Sequence, residues 1–105
     1  MWKVLLADDE NLIVKGLRRL IDWSALDIEI VGEAMDGHQA EQLILQTRPD
    51  LVISDIRMPG LTGLELLSRH KGGPQAPKFI FISGYEEFEY VRQALSGGAV
   101  DYLLK

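Results

Sequence analysis

Three aspartates stand where an apolar run gives way to polar sequence. Asp8 and Asp9 follow KVLLA (3–7), and Asp55 follows DLVIS (50–54), ahead of a Met-Pro-Gly turn. Ser83 closes KFIFIS (78–83) and Lys105 closes DYLLK in the same manner. Each has an ordinary explanation when taken alone. An aspartate pair suits a helix N-cap, and a single aspartate suits a turn. A serine can bond its own backbone, and a terminal lysine is usually solvated. Brought together, they offer chemistry. Three converging carboxylates raise the pKa of at least one, unless a cation relieves the repulsion. Oxygen-only ligands suit a hard ion, and Mg²⁺ keeps several waters besides. An aspartate beside such an ion can attack phosphorus and form an acyl phosphate. A lysine and a hydroxyl would then bind the phosphoryl oxygens.

Convergence depends on the elements that carry these residues. KVLLA (3–7) is a short, unbroken apolar run, as expected of a strand covered on both faces. Leu12, Ile13, Leu17, Leu20 and Ile21 recur at helical spacing, so 10–22 reads as a helix. DIEIVGEA (27–34) is a strand, and 37–47 is a helix with Ala40, Leu43, Ile44 and Thr47 on one face, stopped by Pro49. DLVIS (50–54) is a strand, MPGLTG a loop, and 64–71 a short helix with Thr62 as N-cap. KFIFIS (78–83) is a strand, 86–98 a helix closed by Gly97 or Gly98 with Phe88, Val91 and Leu95 toward the core, and 99–104 a last strand. Strands and helices alternate, with connections too long for hairpins. This predicts an α/β fold, a parallel five-stranded sheet between helical layers. One topology the crossover rule leaves is the flavodoxin-like order 2-1-3-4-5. That order makes strands one and three neighbours, with a site beyond their carboxyl ends. Asp8, Asp9 and Asp55 would meet there, flanked by Ser83 and Lys105.

Composition narrows the function classes. The chain has 105 residues, a formal net charge of −5 and no cysteine. One core is expected, since a domain this small buries roughly 60–70% of its unfolded surface. The acidic balance argues against a nucleic-acid surface on this chain and against a polybasic membrane anchor. The lack of cysteine excludes disulfides, thiolate catalysis and thiolate-bound zinc. No apolar run approaches the roughly 20 residues of a membrane span, and the N-terminus does not read as a signal peptide. A cytoplasmic domain is the expectation.

The motifs ADDE, SDIRMPG, ISGY and DYLLK, in this order and each at a strand end, resemble those of receiver domains of two-component response regulators. IDWSAL, SDIRMPG and SGYEEFEYVRQAL resemble the receivers of YesN/AraC-type transcriptional regulators in particular. The resemblance covers the whole chain, 1–105, as one receiver domain. It implies that Asp55 is the phosphoacceptor and that a phosphohistidine on a sensor histidine kinase is the donor. It implies Mg²⁺ held by Asp9 and Asp55, by Asp8 through water, and by the Arg57 main-chain carbonyl. Lys105 would contact the phosphoryl group, Ser83 would move to it, and Tyr102 would follow inward as the aromatic switch. Arg57 and Tyr85, two residues past Asp55 and Ser83, flank the path of a hydrolytic water and are expected to lengthen the life of the phosphate. Receivers continue past this point with a proline and a fifth helix. The sequence therefore reads as truncated before its last helix, leaving apolar surface on strands one and five. A DNA-binding output domain is expected beyond it, with a homodimer as the phosphorylated state of the full-length protein.

Two rivals come from other classes. A phosphate-independent pseudo-receiver would not need the complete acid set. A phosphatase with an aspartyl nucleophile, of the haloacid-dehalogenase type, would carry a second acid where Arg57 stands. His38, His70, Trp2 and Trp23 read as solvated or packing residues.

Overall fold

In the computed structural model, residues 1–83, 92, 93 and 95–104 are described. The strands are β1 (Trp2–Ala7), β2 (Ile28–Ala34), β3 (Leu51–Asp55), β4 (Lys78–Ser83) and β5 (Asp101–Leu104). The helices are α1 (Asn11–Leu20), α2 (Gly37–Thr47) and α3 (Gly63–His70), with a 3₁₀ turn at Ser24–Leu26. All strand pairs are parallel, in the order β2-β1-β3-β4-β5. This is the predicted doubly wound arrangement. The predicted helix at 86–98 falls largely outside the described residues. Its close is within them: the Gly98 N–H donates to the Leu95 carbonyl, and Gly98 takes φ 112°, which only glycine adopts without strain. Leu95, expected to face the core, is 41% exposed.

Alternation along the strands builds two cores. Leu5, Ala7, Val52, Phe79 and Phe81 face α2 and α3, where Ala40, Ile44, Leu66 and Leu67 pack on them. The Phe79 and Phe81 rings stack with centroids 5.8 Å apart. Val4, Leu6, Ile53 and Ile82 face α1, which supplies Val14, Ile13 and Leu17. Full burial of each such side chain contributes about 1.5–3 kcal/mol, so β1 and β3 are anchored from both sides. Apolar surface does remain outside, at the start of β1 and on β5. A shallow strip runs along Leu12, Gly16 and Leu20 of α1 to Ile82 and Leu103, and Leu103 is 48% exposed. From Val4 onward, β1 is covered on this side by α1. Trp2, read as packing, is 63% exposed at the first residue of its strand. Trp23 does pack on the α1-side core and donates its indole N–H to the Leu17 carbonyl.

The helix caps are uneven. Thr62 and Glu65 form a reciprocal capping box at the start of α3, as Thr62 led one to expect. The Thr62 backbone N–H and then the Thr62 hydroxyl hold the Glu65 carboxyl below its ordinary pKa. A depressed carboxylate stabilises the fold above its unfolded pKa, and that support is lost as pH falls through the lowered value. The melting-temperature gap between wild type and Glu65→Ala is therefore expected to narrow between pH 6 and pH 3. A gap that stays constant over that range would assign the effect to helix propensity alone.

Candidate functional site

Register brings the acids together. Ala7 pairs with Ser54, so the next residues, Asp8 and Asp55, leave adjacent strands at one level. Asp55 pairs with Ile82, so Ser83 lies one step further along β4, and Tyr102 lies opposite Phe81 on β5. Register thus places Ser83 on the strand beside Asp55 and Tyr102 one strand further out. Lys105 and Tyr85 lie outside the described residues. The sequence placed the acids at strand ends, and the sheet order puts those ends side by side.

Asp8 and Asp55 are buried, at 1% and 3% exposure, whereas Asp9 and Glu10 are exposed. Carboxylate oxygens of Asp8, Asp9, Glu10 and Asp55 all lie within 4.8 Å of one another. Glu10 joins the three acids singled out from the sequence. Its position between an aspartate pair and a helix pointed to capping, which concealed it. Capping does not explain the aspartates either. Asp8 Oδ1 accepts the Glu10 N–H at 2.8 Å, ahead of the helix, and the N-cap residue of α1 is Glu10, whose side chain makes no cap bond. The Arg57 N–H reaches Asp55 Oδ1 at 3.4 Å, a long bond that turns the chain just past the strand.

That turn is clamped from below. The Gly63 N–H donates to the Ile56 carbonyl at 2.7 Å. A β-carbon on Gly63 would lie 2.5 Å from the Asp55 carbonyl oxygen and 2.6 Å from the Phe81 ring. Gly60 takes φ 82°, and the His38 ring occupies the space where its side chain would point. The Gly37 N–H, at the start of α2, donates to the Pro59 carbonyl. The stretch 56–63 is therefore fixed against α2, α3 and the sheet. It forms, with Asp9, Arg57, Met58, Pro59, Thr62 and Leu64, an open cleft of about 430 Å³ beside the acids.

The donor set is carboxylate oxygen, two groups buried and two at the rim. This fits a hard divalent cation such as Mg²⁺, which takes oxygen ligands and retains water on its exposed side. Nitrogen or sulfur ligands, which zinc favours, do not occur in the cluster. His70, expected to be solvated, instead has its Nε2 buried with no hydrogen bond among the described residues. It belongs to a separate groove at the far end of α3, with Ile44, Pro49 and Pro77, and takes no part in the site.

The chain is similar to known proteins in both sequence and fold. The chain is 42% identical over its whole length to the transcriptional regulatory protein YesN of Bacillus subtilis, spanning 28% of that protein. It is 39% identical to the transcriptional regulatory protein HptR of Staphylococcus aureus, spanning 41% of it. Among solved structures, it superposes on the REC domain of AraT, a response regulator from Geobacillus stearothermophilus, with a TM-score of 0.92 at 42% identity. That match covers 99% of this chain and 81% of the other. A two component transcriptional regulator AraC from Clostridium phytofermentans gives a TM-score of 0.86 at 36% identity, over 100% of this chain and 81% of that one. No helix among the described residues is long and apolar enough to cross a membrane. The family model for the response regulator receiver domain matches residues 4–105, and with sheet order, acid cluster and relatives in agreement, the chain belongs to that family.

Proposed function

We propose that this chain is a phosphorylation switch in which Asp55 accepts a phosphoryl group from a phosphohistidine of a sensor histidine kinase. The observation that carries the reading is the meeting of the Asp8, Asp9 and Asp55 carboxylates at two adjacent strand ends. An Asp55 oxygen attacks phosphorus, the P–N bond to the donor imidazole breaks, and an acyl phosphate forms while the freed nitrogen keeps its electron pair. Asp9, Asp55 and the Arg57 carbonyl would hold Mg²⁺, with Asp8 holding it through water. The ion, when bound, neutralises charge on the phosphoryl oxygens. Burial of Asp55 keeps bulk water from the reacting carboxylate, and the clamped 56–63 stretch keeps it aimed.

Lys105 and Ser83 are assigned to the phosphoryl oxygens, and Tyr102 to the inward step that follows Ser83. Arg57 lines the cleft beside Asp9, at the entry a hydrolytic water would use. It is assigned, with Tyr85, to slowing loss of the phosphate. Phosphorylation adds roughly 1.5–2 negative charges at Asp55 and biases an existing two-state equilibrium. The chain acts as one cytoplasmic receiver domain rather than as an enzyme on a free substrate. Its output is dimerisation and transcriptional control through a C-terminal DNA-binding domain of the longer protein.

Incubation with Mg²⁺ and acetyl phosphate is expected to add one phosphoryl group per chain, read by intact mass. Asp55→Asn is expected to reduce the adduct to background. Turnover of a phosphate ester over many cycles would favour a phosphatase. No adduct on the wild type, with the fold intact, would favour a pseudo-receiver.

A further inference from the structure

The other end of the sheet carries a groove that the phosphoryl chemistry does not use. A cavity of about 210 Å³ beside α2 and α3 and one of about 490 Å³ under the strand starts share Arg48, Pro49, Gln75 and Ala76, so the two are arms of one groove. The length of β3, roughly 16 Å, separates it from Asp55. Its outer arm presents Lys78 and Trp2, which is 63% exposed. The inner arm runs past His70, whose buried Nε2 makes no hydrogen bond among the described residues, and folded proteins keep such unsatisfied groups few.

Arg48 stands in an unfavourable backbone conformation. It closes α2 at φ 48°, ψ 62°, in the left-handed region where helix ends ordinarily carry glycine. Pro49 follows it, and a residue ahead of a proline favours extended backbone. Arginine is thus strained here, and strain of this kind clusters at ligand-binding sites. Among the described residues, neither Arg48 nor Lys78 forms an ion pair. Asp50 also borders the groove, but its carboxylate accepts the Lys3 backbone N–H at 2.8 Å. The groove is therefore cationic, on a chain of net charge −5. A guanidinium and an ammonium recognise a carboxylate, an exposed indole stacks on an aromatic ring, and the volume is that of a small-molecule site. We propose that this groove binds a small aromatic carboxylate, with Arg48 and Lys78 on the carboxylate and Trp2 against the ring.

The test is calorimetric titration of the full chain with 2-naphthoate. One site per chain is expected, and 2-naphthalenemethanol, which has the ring without the charge, should bind about tenfold more weakly. Trp2→Ala should weaken 2-naphthoate by about two- to tenfold. Arg48→Gly should weaken it by about tenfold or more while its melting temperature holds or rises, because glycine accepts the left-handed backbone. A residue that only supported the fold would lose stability along with affinity. Asp55→Asn should bind as the wild type does, which separates the groove from the phosphoryl site. No binding by the wild type, equal binding of the uncharged alcohol, or unchanged affinity in both Arg48→Gly and Trp2→Ala would overturn the proposal. Loss of binding in Asp55→Asn would move the ligand to the acids and overturn it as well.

Discussion

Alanine at Gly37 is expected to remove about 3 kcal/mol of folding stability, near the top of the range for overpacking a buried position. A β-carbon there would sit 1.8 Å from the Leu61 carbonyl oxygen, 2.5 Å from its carbonyl carbon and 2.6 Å from its Cα. All three are backbone atoms, so no rotamer change relieves the contact. Retreat of α2 is blocked as well. Its first turn is tied down by the Asp36 carboxylate, which accepts the Gln39 N–H, and by the bond from Gly37 to Pro59. Relief requires moving either α2 or the 58–61 stretch, and the latter carries the exit from Asp55. The loss should appear in denaturant unfolding as a lower midpoint at an unchanged slope. The folded fraction should also take up phosphate more slowly from acetyl phosphate. Gly16→Ala is the control, because nothing lies within 4 Å of its β-carbon and it sits inside α1. It should stabilise by about 0.5–1 kcal/mol. Equal effects of the two substitutions would show that helix propensity, not the clamp, decides at Gly37.

How legible the site was in the sequence follows from the same distinction between pattern and contact. Buried parallel strands leave unbroken apolar runs, so the ends of KVLLA and DLVIS could be located. The crossover rule left few topologies, one of which makes β1 and β3 neighbours, as the sheet has them. Asp8 and Asp55 followed from those two facts. The sequence pattern carries no signal for the turn of a surface side chain, so Glu10 reads only as the first residue of the helix at 10–22. Clamps between distant elements are equally silent. Gly37 reads as a helix start, and nothing in GHQAEQ reveals the Leu61 backbone against it. His70 is a similar case, since its burial depends on the 75–77 stretch folding back beside the end of α3. Trp2 went wrong for a different reason. Aromatic character suggested packing, but the helices cover the sheet only from Val4 onward.

Asp9→Asn is expected to weaken Mg²⁺ binding by about a hundredfold, the largest effect of any single acid. Asp8 and Asp55 are buried, and their orientation is set by strand ends in register. Asp9 stands at the rim, in contact with the cleft that also receives Arg57, where an ion would enter. The substitution removes both a charge and a direct ligand, so its cost lies at the top of the 10–100-fold range typical of groups that only support a ligand. Thermal unfolding reads this without any phosphoryl chemistry. Mg²⁺ at ten times its dissociation constant stabilises the folded state by about 1.4 kcal/mol. For a domain of this size that corresponds to roughly 5–10 °C in melting temperature. Wild type should show that shift between EDTA and MgCl₂, and Asp9→Asn should show almost none at the same concentration. Without Mg²⁺ the order should reverse, with Asp9→Asn at least as stable as wild type, because the variant has one fewer like charge among its carboxylates. A variant that loses stability in EDTA would mean that Asp9 supports the fold rather than the ion, and an undiminished Mg²⁺ shift would remove it from the site.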